Sequence, residues 1–133
     1  MDKSVIAEWL RYAGNDFETV KILSQHHPMQ LEIICYHCQQ AAEKVLKAFL
    51  LYNDREPSKT HNLENLVDLC KEISGEFDEI IEECEYLNPF GVQLRYPFGL
   101  ELVESDAIIS IQKCEKIYDF IHSKIVLEQI EEP

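Results

Sequence analysis

Residues 31–51, LEIICYHCQQAAEKVLKAFLL, constrain the fold more than any other part of this chain. The stretch has no Pro or Gly, and its apolar residues keep a helical period. Leu31, Cys35, Cys38, Ala42, Val45, Phe49 and Tyr52 recur at alternating intervals of four and three, which lays them in one stripe. The other side carries Tyr36, His37, Gln40, Glu43, Lys44 and Lys47. Such a helix is expected to fill a bundle core with one face and to offer a polar surface with the other.

The remaining segments read as helices packed around it. Over residues 4–25, Ile6, Trp9, Leu10, Ala13, Phe17, Val20 and Leu23 form a stripe, with Ser4 expected to cap the start. Gly14 interrupts that helix at about 1 kcal/mol against Ala. Pro28 ends it, because the residue before a proline is driven out of helical geometry. Residues 53–59 form a polar loop containing Pro57, after which Thr60 or Asn62 caps a helix carrying Leu63, Leu66, Val67, Cys70 and Ile73. Ser74-Gly75 breaks it. A fourth helix aligns Phe77, Ile80, Ile81, Cys84 and Leu87. Its acidic residues Glu76, Asp78, Glu79, Glu82, Glu83 and Glu85 are expected to be a solvated face. A connection of about 15 residues follows, long for a compact domain and rich in apolar side chains. The last helix starts near Glu104 or Ser105 and carries Ile108, Ile111, Cys114, Tyr118, Ile121 and Ile125.

Together these patterns predict an all-α, up-and-down bundle of four long helices plus one short helix. With 133 residues the chain suits one domain, taken as 1–127, with residues 128–133 as an acidic tail. Strand-like alternation is absent, and only 4 Gly and 5 Pro occur, which favours helices throughout. No apolar run approaches the roughly 20 residues of a membrane span, and no signal-peptide core is visible. The odd set of Cys35, Cys38, Cys70, Cys84 and Cys114 reads as reduced core thiols in a cytoplasm. Cys35-x-x-Cys38 lacks the βαβ setting of a redox motif. The adjacent His26 and His27 do not face one point on a helix. No metal or cofactor is expected from either pair.

Twenty-five acidic residues against 12 basic ones give a net charge of −13, a field that repels phosphate at long range. An anion site must therefore be local, and three places collect the polar groups for one. On the central helix Gln40 and Lys44, and Glu43 and Lys47, are four apart and share a face. Lys59-Thr60-His61 stands at a helix start, where unpaired backbone N–H groups attract anions. In Arg95-Tyr96-Pro97 the proline stiffens the preceding residue and would aim Arg95 and Tyr96. Each also has a plain structural reading. Gln40, Glu43 and Lys44 would be a solvated face, His61 a cap or end-packing residue, and Arg95 the partner of a carboxylate. Taken together, Lys44, Lys47, Arg55, Lys59 and Arg95 with His61 are expected to converge into one basic patch suited to a nucleotide or an RNA phosphate.

The strings YHCQQAAEKVLKAFL at 36–50, Lys59-Thr60-His61-Asn62-Leu63 and Arg95-Tyr96-Pro97, with Trp9 and Ala13-x-x-Asp16, resemble the HEPN family, the "higher eukaryotes and prokaryotes nucleotide-binding" domain. The resemblance runs over about residues 4–125. It implies a four- or five-helix bundle that commonly forms homodimers, often beside a minimal nucleotidyltransferase for which it is viewed as a nucleotide- or substrate-binding partner. Some such pairs act as toxin and antitoxin. Other branches are metal-independent RNases that use an Arg followed four to six residues later by His at the start of the last helix. Here no His follows Arg95 until His122, which departs from that pattern. The leading expectation is a binding module whose ligand residues are Gln40, Glu43, Lys44, Lys47, Lys59, Thr60, His61, Arg95 and Tyr96. One alternative is an RNase toxin using Arg95 with His61, and another is a scaffold without a ligand site.

Overall fold

The computed structural model describes residues 2–57, 59–91 and 101–126. Among these residues are five α-helices, α1 (Lys3–Leu23), α2 (Leu31–Tyr52), α3 (Leu63–Ile73), α4 (Ile81–Leu87) and α5 (Glu104–His122), with 3-10 segments before and after α4, Gly75–Ile80 and Asn88–Gly91. There is no strand among the described residues. The expected all-α bundle is what forms.

Helix α2 is its axis. Cys35, Cys38, Ala42, Val45 and Phe49 are buried as the period requires, but so are Ala41, Leu46, Ala48 and Leu50 on other sides. Alanines at 41, 42 and 48 let neighbouring helices come close. Helix α1 returns along α2, with Asp16 beside His37 and Lys44. Helix α5 runs in the same sense as α2. Cys35 Sγ lies 3.3 Å from Ser110 Oγ near their starts, and Val126 N donates to Tyr52 Oη at 3.4 Å beyond their ends. Helix α3 begins beside Gln39, whose Nε2 donates to the His61 carbonyl, and passes Leu46, whose carbonyl accepts from Cys70 Sγ.

Local chemistry sets several boundaries differently from the sequence reading. Asp2, not Ser4, caps α1: its Oδ1 accepts from Ser4 N at 3.1 Å and Val5 N at 3.2 Å. The helix ends at Leu23, where Gln25 and His26 turn back to Ile22 and Leu23 in three-residue bonds. Asn62, one of the two expected caps of α3, accepts from Asn65 N at 3.1 Å, while Thr60 Oγ1 accepts from Asn62 N at 3.0 Å.

The fourth helical pattern is divided. Its first half is 3-10, which brings residues three apart into line and turns Phe77 and Ile80 inward. Phe77 then packs between Phe49, at 4.6 Å between ring centroids, and Phe120, at 5.1 Å.

The solvated acidic face is corrected at Glu83. It is buried, and Lys116 Nζ donates to it at 2.9 Å, with Lys113 at 3.9 Å. Burial alone would raise its pKa, but the Lys116 hydrogen bond and the two ammonium charges outweigh that and hold the carboxyl below its ordinary range.

The core stripe of α5 is also rotated from the expected one. Ala107, Ser110, Cys114, Ile117 and Ile121 face inward, whereas Ile108 is 41% exposed. Small side chains at 107 and 110 allow the close approach to α2 seen at Cys35, and that proximity outweighs the larger apolar area of Ile108. Its start is as expected, with Asp106 Oδ2 accepting from Val103 N at 2.9 Å.

All five thiols are free and buried. Cys35 turns to Ser110 and Cys38 to Cys114, so the two face α5 separately. The Cys114 contact and burial push the Cys38 thiol up, and burial pushes Cys70 up to about 12. Ellman's reagent at pH 8 is therefore expected to find no fast thiol in the native protein and five per chain in guanidinium. A native thiol reacting at the rate of a free cysteine would contradict this packing.

Glu83 yields a second expectation. Its folded pKa lies below the unfolded value, so its stabilisation is present above the ordinary carboxylate range and disappears as pH falls through the folded pKa. The stability difference between wild type and Glu83→Gln, followed by urea unfolding, should be constant from about pH 6 upward and shrink below about pH 4.

Candidate functional site

The polar side of α2 is a partly covered seam, with α1 against it on one side and His61 on the other, and two carboxylates organise it. Asp16 of α1 is buried. Its Oδ1 accepts from His37 Nδ1 at 2.8 Å, and its Oδ2 accepts from Lys44 Nζ. Further along the seam, Glu43 of α2 is also buried. Its Oε2 accepts from Lys47 Nζ at 3.1 Å and from His61 Nδ1 at 2.8 Å, and its Oε1 is 3.4 Å from Gln39 Nε2. Lys47 is itself buried, with its ammonium 5.5 Å from the centroid of the Trp9 ring. Such groups stay in a protein interior only when each charge meets an opposite one and its remaining hydrogen-bonding positions are filled. No side-chain nitrogen or oxygen among the buried described residues lacks a partner.

The sequence-predicted residues therefore separate into groups. Glu43 and Lys47 are buried structural charges, Lys44 is a half-buried one paired with Asp16, and Gln40 is half-buried, donating to Gln39 Oε1 at 2.8 Å. Lys59 is exposed and Thr60 half-buried. His61 is the member that reaches both worlds. Its side chain is 72% exposed, yet its Nδ1 is held by a carboxylate that is only 5% exposed. Arg95 and Tyr96 lie outside the described residues. Of the others, Lys47 and His61 meet at the Glu43 carboxylate, Lys44 pairs with Asp16, and Arg55 turns to Glu72 of α3 at 3.1 Å.

Chemically, His61 is an oriented imidazole. Glu43 also serves Lys47 and Gln39, so it acts as an acceptor and Nδ1–H donates to it. This leaves Nε2 to meet whatever approaches from solvent. As a lone pair it accepts from a hydroxyl, and once protonated it donates to a phosphate oxygen. The first turn of α5 supplies Glu104, Ser105 and Asp106 but no imidazole. His122 stands at the far end of α5, with Nδ1 on Tyr118 O at 3.0 Å and its ring stacked on Tyr118. No group of three or more His, Cys, Asp or Glu among the described residues is arranged to hold a metal ion.

Sequence reasoning missed Asp16 as the anchor of Lys44, and it missed Gln39 altogether. A signal for Gln39 was present, since Gln39, Glu43 and Lys47 are spaced by four and share one helical face.

The Glu43–Lys47 pair generates a double-mutant test. Glu43→Leu leaves a buried ammonium without its partner and should destabilise the fold by about 3–5 kcal/mol. Glu43→Leu combined with Lys47→Leu should recover most of that loss in a denaturant titration. Additive losses in the double variant would show that the two charges do not depend on each other.

A HEPN domain profile matches residues 6–125, from the first turn of α1 to just beyond α5. The structure is similar to the crystal structure of TT1696 from Thermus thermophilus, with a TM-score of 0.79 over 94% of this chain and 100% of that one. At 20% identity that likeness speaks for the fold. Among curated proteins no sequence matches significantly. Nine-tenths of the chain fits one family description, and the bundle has the matching architecture, so this chain belongs to the HEPN domain family.

Proposed function

We propose that the chain is a HEPN binding module that takes up a nucleotide or RNA phosphate and works with a minimal nucleotidyltransferase partner. One observation carries the reading: an exposed imidazole, His61, whose side chain is 72% exposed, is held at Nδ1 by a buried carboxylate 2.8 Å away, which leaves Nε2 for a ligand. Lys59 lies in the same loop, two residues away and exposed, and adds a positive charge to that edge of an otherwise acidic protein. A phosphate oxygen bound between them would gain a charge-assisted hydrogen bond and a Coulomb term that salt weakens. The neutralisation of Lys44 and Lys47 narrows the contact surface to residues 59–61, with Arg95 and Tyr96 as further proposed contacts.

Titration of AMP, ATP and a short single-stranded RNA into the protein, followed by calorimetry, tests this. His61→Ala is expected to weaken binding roughly tenfold or more and Lys59→Ala by about threefold to tenfold, with a reduced salt dependence in the second case. Absence of binding by the wild type to all three probes would overturn the reading.

A homodimer belongs to the same proposal. Supporting it, Val103 at 59%, Ile108 at 41% and Ile109 at 36% expose large apolar side chains at the start of α5. Light scattering should give twice the chain mass at micromolar concentration, and Ile108→Glu should reduce it to one. A monomeric wild type would reject this part.

A further inference from the structure

Gln39 is an unusual residue for the interior of a bundle. It is fully buried, although an amide that loses water must recover every hydrogen bond inside. It does so by tying separate segments together. Nε2 donates to the His61 main-chain oxygen at 3.1 Å and points to Glu43 Oε1 at 3.4 Å, while Oε1 accepts from Gln40 Nε2 at 2.8 Å. The same amide lies flat against Gly91. A Cβ at position 91 would stand 2.8 Å from Gln39 Cδ, 2.9 Å from Nε2 and 3.0 Å from Oε1. Gly91 has no positive φ, so what position 91 requires is space and not backbone freedom.

His61 is therefore anchored twice from α2. Its imidazole is held by Glu43 and its carbonyl by Gln39, four residues earlier on the same face. We infer that Gln39 is a positioning residue for His61, and that Gly91 is the empty space that lets it hold that position. A methyl group at 91 can be accommodated only by displacing the amide. The displaced amide gives up the His61 carbonyl, and the imidazole then loses one of its two fixed points. As a statement about ligand binding this rests on the reading of His61 as the phosphate contact; as a statement about geometry it does not.

The test uses NMR of the full chain without ligand, following the His61 ring resonances and the exchange of the amides at 61–63. Gly91→Ala and Gln39→Met (which keeps the volume and removes the hydrogen bonds) should each shift the His61 ring signals. Each should speed amide exchange at 61–63 about fivefold to tenfold. The His37 ring, bound to Asp16 of α1, should stay in place as the internal reference. In a Gln39→Ala background, Gly91→Ala should add nothing, because the clashing amide has gone. Unchanged His61 signals in folded Gly91→Ala and Gln39→Met, or full additivity in the double variant, would overturn the inference.

Titration with AMP and ATP is then a separate arm. If the wild type binds, Gly91→Ala should bind about fivefold to tenfold more weakly, and equal affinity would refute the positioning role. If the wild type does not bind, the ligand reading fails, and the coupling is decided by the ring signals alone.

Discussion

The carboxylate of Glu43 is the point on which the polar half of this bundle depends. An isolated buried carboxylate would be prohibitive, and so would the buried ammonium of Lys47. Each makes the other tolerable, and the shared geometry then recruits Gln39 and His61. The loop that connects α2 to α3 has little apolar material with which to hold itself against the bundle, as residues 53–62 are mostly polar. Its attachment comes instead from hydrogen bonds to α2 and from Asn88 Oδ1, which accepts from Leu63 N at 2.8 Å. A charge needed for interior neutrality thus also fixes an exposed side chain. The stability of the fold and the orientation of His61 are therefore set by the same atoms.

The arrangement repeats in the pair around Asp16. There too one buried carboxylate takes a lysine and a histidine, this time across the α1–α2 interface. In both clusters α2 supplies the lysine, Lys44 in one and Lys47 in the other. They differ in exposure, since the His37 side chain is 28% exposed and that of His61 72%. His37 therefore joins two helices, whereas His61 stands at the rim.

Much of the fold is legible in the sequence because the core period of α2 is strong and the breakers are well placed. Ser74-Gly75 lies where the chain leaves a helix, Pro28 lies in the turn that follows α1, and α5 begins where expected. The misreadings have physical causes. Hydropathy weights Ile108 above Ala107 and Ser110, but close helix packing rewards small residues, so the inward face of α5 is turned away from the isoleucine. A run of glutamates reads as solvent-facing until two lysines from another helix, 113 and 116, close over Glu83. The central helix reads as two-faced because its polar residues look like surface residues. Periodicity shows that they share a side, but it does not show that Asp16 and residues 59–62 cover that side. Lys44 of the expected basic patch reads as an unpaired charge, because ion pairing between distant segments such as α1 and α2 leaves no mark in composition. His61 is legible by its place before a helix, and Gln39 only by its spacing of four from Glu43 and Lys47, which shows a shared face but not that the His61 carbonyl lies against it.

The chain contains a single tryptophan, and it lies against the Lys47 ammonium. Indole emission responds to a charge held near the ring, so the seam carries its own optical gauge. Any event that pulls Lys47 from Glu43, whether a ligand at the rim, a partner against α1 or the first step of unfolding, alters the surroundings of the one fluorophore whose signal has no second indole to compete with. The innermost charge pair among the described residues is thus directly observable from outside, without a label.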